Sequence, residues 1–456
     1  MDQDQVHAPE TTQPPCTTEP VFFPVEPASP PPRLPQGPDP RHGARLRTAD
    51  RSQIIWGRID ADAMLPEDHA ARAIWAVVER LDLSALYAQI EARDDVAGAP
   101  AIDPKILLAL WVYATSEGEG SAREIWRLTE LHDAYRWICG GVEVGYHTLS
   151  DFRSQQVEVV DGLITQVLAL LIKQDLVELN RVAQDGTRVR ASAGAASFRR
   201  EQTLQALMEH ARAHLHAVTT EASDPACSAR RAAARKRGAE QRLARLEAAL
   251  NQVAEVSQTK RRSGAKDATV RVSTTDPEAR VMKMGDGGFR PAFNVQLATT
   301  ADEARVIVGV EVTNRGSDLG QTAPMLDQIE KRTGTRPTEI LVDGGYADHA
   351  SIDQATAQGT TVYSPVPKPR RGDTRDPHAP RKDDSEAVAA WRKRMGTDEA
   401  KIAYKRRAAT AETVNADAKE HRGLDSLNIR GRDGALGSAC LFALTYNILR
   451  LITLAV

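Results

Sequence analysis

Three acidic residues occupy positions where a carboxylate needs a physical reason. Asp185 interrupts an alternating stretch, Val182, Gln184, Gly186, then Arg188-Val189-Arg190, that reads as a β-strand and continues from the acid into Gly186-Thr187. A charge inside a sheet is paired, bound to a metal or placed at the sheet rim, because burying it alone is costly. Asp343 ends the apolar run Ile340-Leu341-Val342 and precedes Gly344-Gly345. The run fits a buried strand of a parallel or mixed sheet, and the glycines leave room for a ligand beside the carboxylate. Taken alone, Asp343 reads better as a strand cap in a tight turn. Glu412 lies on a helical stretch, residues 404–420. If the three converge, their mutual repulsion must be offset by positive charge. Hard divalent cations bound by carboxylate oxygens do this, and two of them clamp an in-line phosphoryl transfer.

The elements around the acids come in an order that allows convergence. After the Asp185 strand, residues 291–299 (Phe293, Val295, Leu297) and 305–313 (Val306, Val308, Val310, Val312) alternate around a short loop and form a β-hairpin. A helix from about 318 to 331 leads into the Asp343 strand. A short helix (349–357), a strand (360–364), a charged Pro-rich loop, a helix around Trp391 and the Glu412 helix follow. Three acids so placed can meet at the carboxyl-end rim of one mixed sheet, which makes metal-dependent phosphoryl transfer the chemistry that topology and acids support.

Upstream, residues 51–178 are helical. Ile74, Val77, Val78 and Leu81 recur at three- and four-residue spacing. Asp103-Pro104 reads as an N-cap and first-turn proline, and Ser121 with Glu124 has capping-box spacing. Arg123, Arg127, Arg136 and Arg153 lie here, with solvated or paired roles as the default and a DNA-binding helix-turn-helix as the alternative. Residues 1–50 are rich in proline and poor in apolar residues and read as a disordered arm. Between the first two acids, residues 197–270 interrupt the sheet pattern with two amphipathic helices. The second is strongly basic (Arg230, Arg231, Arg235, Lys236, Arg237, Arg242, Arg245), which suits either solvent or phosphate.

Among 456 residues the formal net charge is only −3, so a globally basic nucleic-acid binder is not indicated and any such role rests on local patches. The four cysteines are scattered without zinc-ligand spacing, which fits a reducing cytoplasm. No secretory signal opens the chain, and the apolar run at 435–449 is short for a bilayer span and reads as a buried helix.

Other acids compete. Asp348 is expected to cap the helix after the turn, Asp417 falls off the Glu412 face, and Asp318 looks like a helix-start residue or an acid orienting the site from behind. Trp391, beside Arg392-Lys393-Arg394, reads as a partly buried core residue rather than a platform for an unpaired base.

Asp185-Gly186-Thr187, residues 273–284 with Asn294-Val295-Gln296, the 341–346 turn and the Tyr404/Arg407/Glu412/Lys419 helix together resemble the DDE transposases of bacterial insertion sequences. The similarity is to the branch with a Tyr-Arg-Glu-Lys signature on its Glu helix. The segment Tyr146-His147-Thr148-Leu149-Ser150-Asp151-Phe152-Arg153 is similar to that family's N-terminal helical domain. The resemblance implies an α/β fold, an RNase H-like mixed sheet with flanking helices, preceded by the all-α domain and interrupted by the helical insertion. It implies Asp185, Asp343 and Glu412 as a triad binding two Mg²⁺ ions, with Mn²⁺ as a substitute, and Tyr404, Arg407 and Lys419 as DNA-contacting residues. The implied activity is cleavage at the element's terminal inverted repeats and strand transfer into target DNA, by a homodimer in the DNA complex, in the cytoplasm at the nucleoid and without a membrane. A nuclease of the same fold without strand transfer, and an inactive DNA-binding relic or repressor, are the alternatives. The spacing departs from the signature at one point: Arg407 keeps the Tyr–Arg interval but lengthens Arg-to-Glu by one residue, and Arg406 does the reverse.

Overall fold

Asp103 accepts a hydrogen bond from the Lys105 N–H at 2.9 Å, and Pro104 follows in the first turn, so this helix starts where its sequence says it should. The computed structural model describes residues 60, 62–90, 100–221, 229–262, 270–369 and 374–455. The Pro-rich arm expected over 1–50 lies outside the described residues. The helical region comprises α1 (Ala70–Val78), α2 (Ser84–Ala88), α3 (Pro104–Ser116), α4 (Ala122–Leu131), α5 (Asp133–Cys139), α6 (Tyr146–Gln155) and α7 (Val157–Lys173). Ile106 to Ser116 are all buried, as suits a helix that is apolar around most of its circumference. Arg123, Arg127, Arg136 and Arg153, singled out above, are engaged within the protein. Arg127 pairs with Glu124, and Arg136 with Asp133 at 3.1 Å. Arg123 lies over the Tyr146 ring, and the buried Arg153 lies over Trp111 at 4.7 Å.

The elements of the sheet region follow: β1 (Arg181–Arg190), β2 (Phe198–Arg199), α8 (Glu201–Glu221), α9 (Ala229–Arg262), β3 (Val272–Ser273), β4 (Arg280–Lys283), β5 (Phe289–Thr300) and β6 (Ile307–Thr313). Then come α10 (Thr322–Thr333), β7 (Glu339–Leu341), α11 (His349–Ala357), β8 (Thr361–Tyr363), α12 (Glu386–Met395), α13 (Asp398–Arg407), a π-helical turn (Ala408–Glu412), α14 (Thr413–Glu420) and α15 (Arg432–Leu454). The main sheet runs β6-β5-β1-β7-β8, with β4 also on β5. β5 is antiparallel to β1 and β6, while β7 and β8 run parallel to β1. This is the RNase H-like arrangement, a mixed α/β fold beside helices. The strand β4 was not among the expected elements; two of its four residues are charged, only Met282 of them is buried, and it pairs with the start of β5.

In the insertion, α8 and α9 pack on each other around Leu204, Ala211, Leu246, Ala249 and Val253. The two-stranded β2–β3 ladder closes its base. α15 is long and apolar enough to cross a membrane, but two-thirds of its apolar window, 67%, is buried against the rest of the protein. It packs on α7, α3 and β6. Asn447 pins it there: Oδ1 accepts from the Ile307 N–H at 2.9 Å and Nδ2 donates to the Ile307 carbonyl at 2.8 Å. Helical bundle and sheet thereby share one continuous hydrophobic core.

Candidate active site

β1 and β7 pair in parallel with Ala183 beside Leu341. Asp185 lies two residues further along β1, and Asp343 two residues past the end of β7, so both acids fall at the carboxyl-end rim of this strand pair. At Asp343 the chain turns away. Its Oδ1 accepts from the Gly344 N–H at 2.5 Å, and its carbonyl accepts from the Tyr346 N–H at 3.0 Å and the Ser364 hydroxyl at 3.2 Å. The carboxylate itself is exposed. Asp343 thus caps its turn, and its charge and that of Asp185 both act on Arg407 and Tyr404.

The long helix expected over 404–420 is interrupted. α13 ends at Arg407, and Ala408–Glu412 form a π turn before α14 resumes. A π turn accommodates one residue more than an α turn, which absorbs the one-residue excess between Arg407 and Glu412. Arg407 points inward: Nη2 donates to Asp185 Oδ1 at 2.8 Å and Nη1 to Glu412 Oε1 at 3.4 Å. Arg406 is exposed and lines a different groove with Asp302 and Glu339.

Asp185 is the buried member, its side chain 19% exposed against 60% for Glu412. Burial pushes its pKa up, against the pull of Arg407, the Gly186 N–H and Asn415, whose Nδ2 donates to Oδ2 at 3.0 Å. For Arg407 burial acts downward, but Asp185, Tyr404, Asp343 and Glu412 around it leave its pKa raised. Tyr404 is raised chiefly by burial, and feels all three acids. Lys419 is lowered by burial and by Arg188, with Asp185 drawing it the other way. All six residues singled out from the sequence therefore surround one locus.

Behind Asp185 lies a buried polar layer that sequence reading largely missed. Asp318 Oδ1 accepts from Asn294 Nδ2 at 2.7 Å and Gln296 Nε2 at 2.8 Å, and its Oδ2 pairs with Arg188 at 3.0 Å. Tyr346 donates its hydroxyl to Gln296 Oε1, and Gln184 Nε2 reaches the same oxygen at 3.2 Å. Asp318 does not cap α10, whose N-cap is Gln321. The helix-start reading of Asp318 is corrected in favour of the site-orienting one. The alternation of polar Asn294 and Gln296 on an otherwise apolar strand was the available signal. Asn415, three residues after Glu412 and so on its helix face, was also legible. Asp348 caps α11 as expected, and Asp417 pairs with Arg422 at 3.2 Å. Trp391 is buried, with Nε1 donating to the Ser364 carbonyl at 3.1 Å, and presents no face to a base.

The donor set, hard carboxylate oxygens with one amide, suits Mg²⁺-type ions in kind. Among the described residues no three His, Cys, Asp or Glu side chains stand close enough to share an ion, and the Arg407 guanidinium lies between Asp185 and Glu412.

Residues 258–448 match the family model described as Transposase DDE domain, and residues 59–155 match the one described as Transposase domain (DUF772). No curated protein and no solved structure matches the chain. The two matches lie on one chain, the helical one before the RNase H-like one. These matches support a DDE transposase of insertion-sequence type, with a transposase DDE domain behind a second transposase domain.

Proposed function

We propose that this protein binds the terminal inverted repeats of its own insertion sequence, cleaves the donor strand there and joins the freed end to target DNA. The observation that carries the reading is Arg407 bridging Asp185 to Glu412, with Asp343 just past the end of the strand that pairs in parallel with β1. Asp185, Asp343 and Glu412 would hold divalent ions, Mg²⁺ or Mn²⁺, whose chemistry is to activate water or a DNA 3′-hydroxyl and to stabilise the leaving oxygen. Tyr404, Arg407 and Lys419 surround the same locus and would hold phosphates of the element end. Gly344 and Gly345 leave Asp343 open to an approaching strand, while the layer built on Asp318 fixes Asp185 from behind.

The helical region, residues 51–178, would contribute DNA binding, and the pairing of two ends calls for a homodimer in the complex. The setting would be the cytoplasm, at the nucleoid. A pre-cleaved repeat-ended duplex supplied with Mg²⁺ and a target plasmid tests the reading. Joined products support it; cleavage of uncut ends without any joining would make the protein a nuclease of the same fold.

A further inference from the structure

α9 carries a face that the candidate active site does not use. Arg242 and Arg245 lie one turn apart, and the other positions three and four residues away from them on this helix, Gly238, Ala239, Gln241, Leu246, Ala248 and Ala249, carry no carboxylate. Elsewhere on the same helix Lys236 has Glu240 at 3.9 Å. The Arg242/Arg245 face is the one that packs inward through Leu246 and Ala249, so both guanidinium groups flank a seam against the loop around Thr274 and Thr275. Arg430 closes the third side, from the loop between α14 and α15. That loop is held rigidly: Gly431 donates its N–H to Asp276 Oδ2 at 3.1 Å and Arg432 its N–H to Glu278 Oε2 at 2.9 Å.

The three arginines, Thr274, Thr275 and two leucines line a groove of about 260 Å³ with no acid among them. Asp276 and Glu278 line a neighbouring groove that shares Arg245, Thr275 and Arg430 with this one, and there they accept from the backbone donors just named. Burial lowers the pKa of Arg245, and Arg430 and Arg242 lower it further, so the three cations stand close enough to repel one another. Thr274 donates its hydroxyl to the Ser197 carbonyl at 3.2 Å, which leaves the Thr275 hydroxyl and the guanidinium groups on this small groove as the donors a phosphate oxygen takes. The groove is also tied to the catalytic strand. Arg190, at the end of β1, donates its N–H to the Asp425 carbonyl at 3.0 Å and accepts from the Leu427 N–H at 2.8 Å, on the segment that leads to Arg430.

We propose that Arg242, Arg245 and Arg430, with the Thr275 hydroxyl, form a binding site for a phosphodiester group of the DNA substrate. This rests on the DNA-transposing reading and deepens it: the insertion grips the backbone independently of sequence and sets the register of the strand that reaches Asp185.

The test measures full-length protein binding to repeat-ended duplex across a salt series, for the wild type, Arg430→Gln, Arg245→Gln/Arg430→Gln and the charge-keeping Arg430→Lys. Removing one neutralised phosphate lowers the slope of log affinity against log salt by about 0.9. The double variant is expected to lose about one unit of slope on repeat and random duplexes alike, with Arg430→Lys close to wild type and thermal melting unchanged. Replacing backbone phosphates one at a time by methylphosphonate should weaken wild-type binding at one position that is silent in the double variant. A wild type that binds while both Gln variants keep its slope overturns the site and leaves the transposase reading standing. A saturable inorganic-phosphate site that the variants lose without any change in DNA slope overturns it too. A wild type that binds no duplex overturns both.

Discussion

Arg407 donates from Nη2 to Asp185 Oδ1 at 2.8 Å while Nη1 reaches Glu412 Oε1 at 3.4 Å. One guanidinium thus ties the central strand to the π turn and sits among the acids that would bind divalent ions. A unit charge about 4 Å from another is worth roughly 4 kcal/mol at an effective dielectric of 20, so Arg407 opposes metal entry even where solvent weakens it. Arg407→Ala should raise Mn²⁺ affinity about tenfold, the effect of only about 1.4 kcal/mol. It should also lower strand cleavage by a factor of about 100 or more, because the guanidinium no longer holds the phosphate at the acids. Titration calorimetry and single-turnover cleavage read the two effects separately. Unchanged metal affinity would contradict the placement of Arg407 between the acids.

Gly186 has no room for a side chain. A Cβ there would lie 2.5 Å from Asp318 Oδ1 and 2.8 Å from Asn294 Oδ1, inside the layer that backs Asp185. Gly186→Ala should cost about 1–3 kcal/mol of stability and impair cleavage beyond that loss, as Asp185 is pushed off its support. Asp318→Asn, which removes the charge and keeps the shape, should leave Arg188 unpaired and reduce cleavage with a smaller effect on melting. Denaturant unfolding beside cleavage rates checks both. A Gly186→Ala protein of wild-type stability and activity would refute the close-packed layer.

A stability prediction comes from Arg392 and Asp384, whose side chains are 4% and 2% exposed and pair at 2.7 Å. Burial pushes the Asp384 pKa up, but the Arg392 hydrogen bond, the Arg381 N–H and the charges of Arg392 and His349 outweigh it and hold the carboxyl below its usual 3.8. A depressed carboxylate contributes stability that is present above its unfolded pKa and lost as pH falls through the lower folded value. Arg392→Met should therefore cost about 3–5 kcal/mol near pH 7, and the gap to wild type should shrink below about pH 4. Urea unfolding at several pH values reads this, and a gap independent of pH would count against the pair.

Much of the fold was legible because its signals are local. Alternation at 291–299 and 305–313, the Asp103-Pro104 and Ser121/Glu124 starts and the apolar run ending in Asp343 each depend on neighbours in sequence. What was not legible depends on packing between distant parts of the chain. Asp318 resembles a helix cap until Asn294, Gln296 and Arg188 are seen to converge on it. β4 is a strand only because the start of β5 offers it an edge. The π turn appears in the sequence merely as one residue too many between Arg407 and Glu412. Its conformation follows from Arg407 having to reach Asp185 while Glu412 stays at the rim, a constraint imposed from another element.

The most direct measurement compares the wild type with Asp185→Ala, Asp343→Ala and Glu412→Ala for Mg²⁺-dependent cleavage of a repeat-ended duplex, with binding of the same duplex as control. Each alanine variant should still bind the end and should show no cleavage above the metal-free background. Cleavage surviving in any of the three would contradict the assignment of the triad.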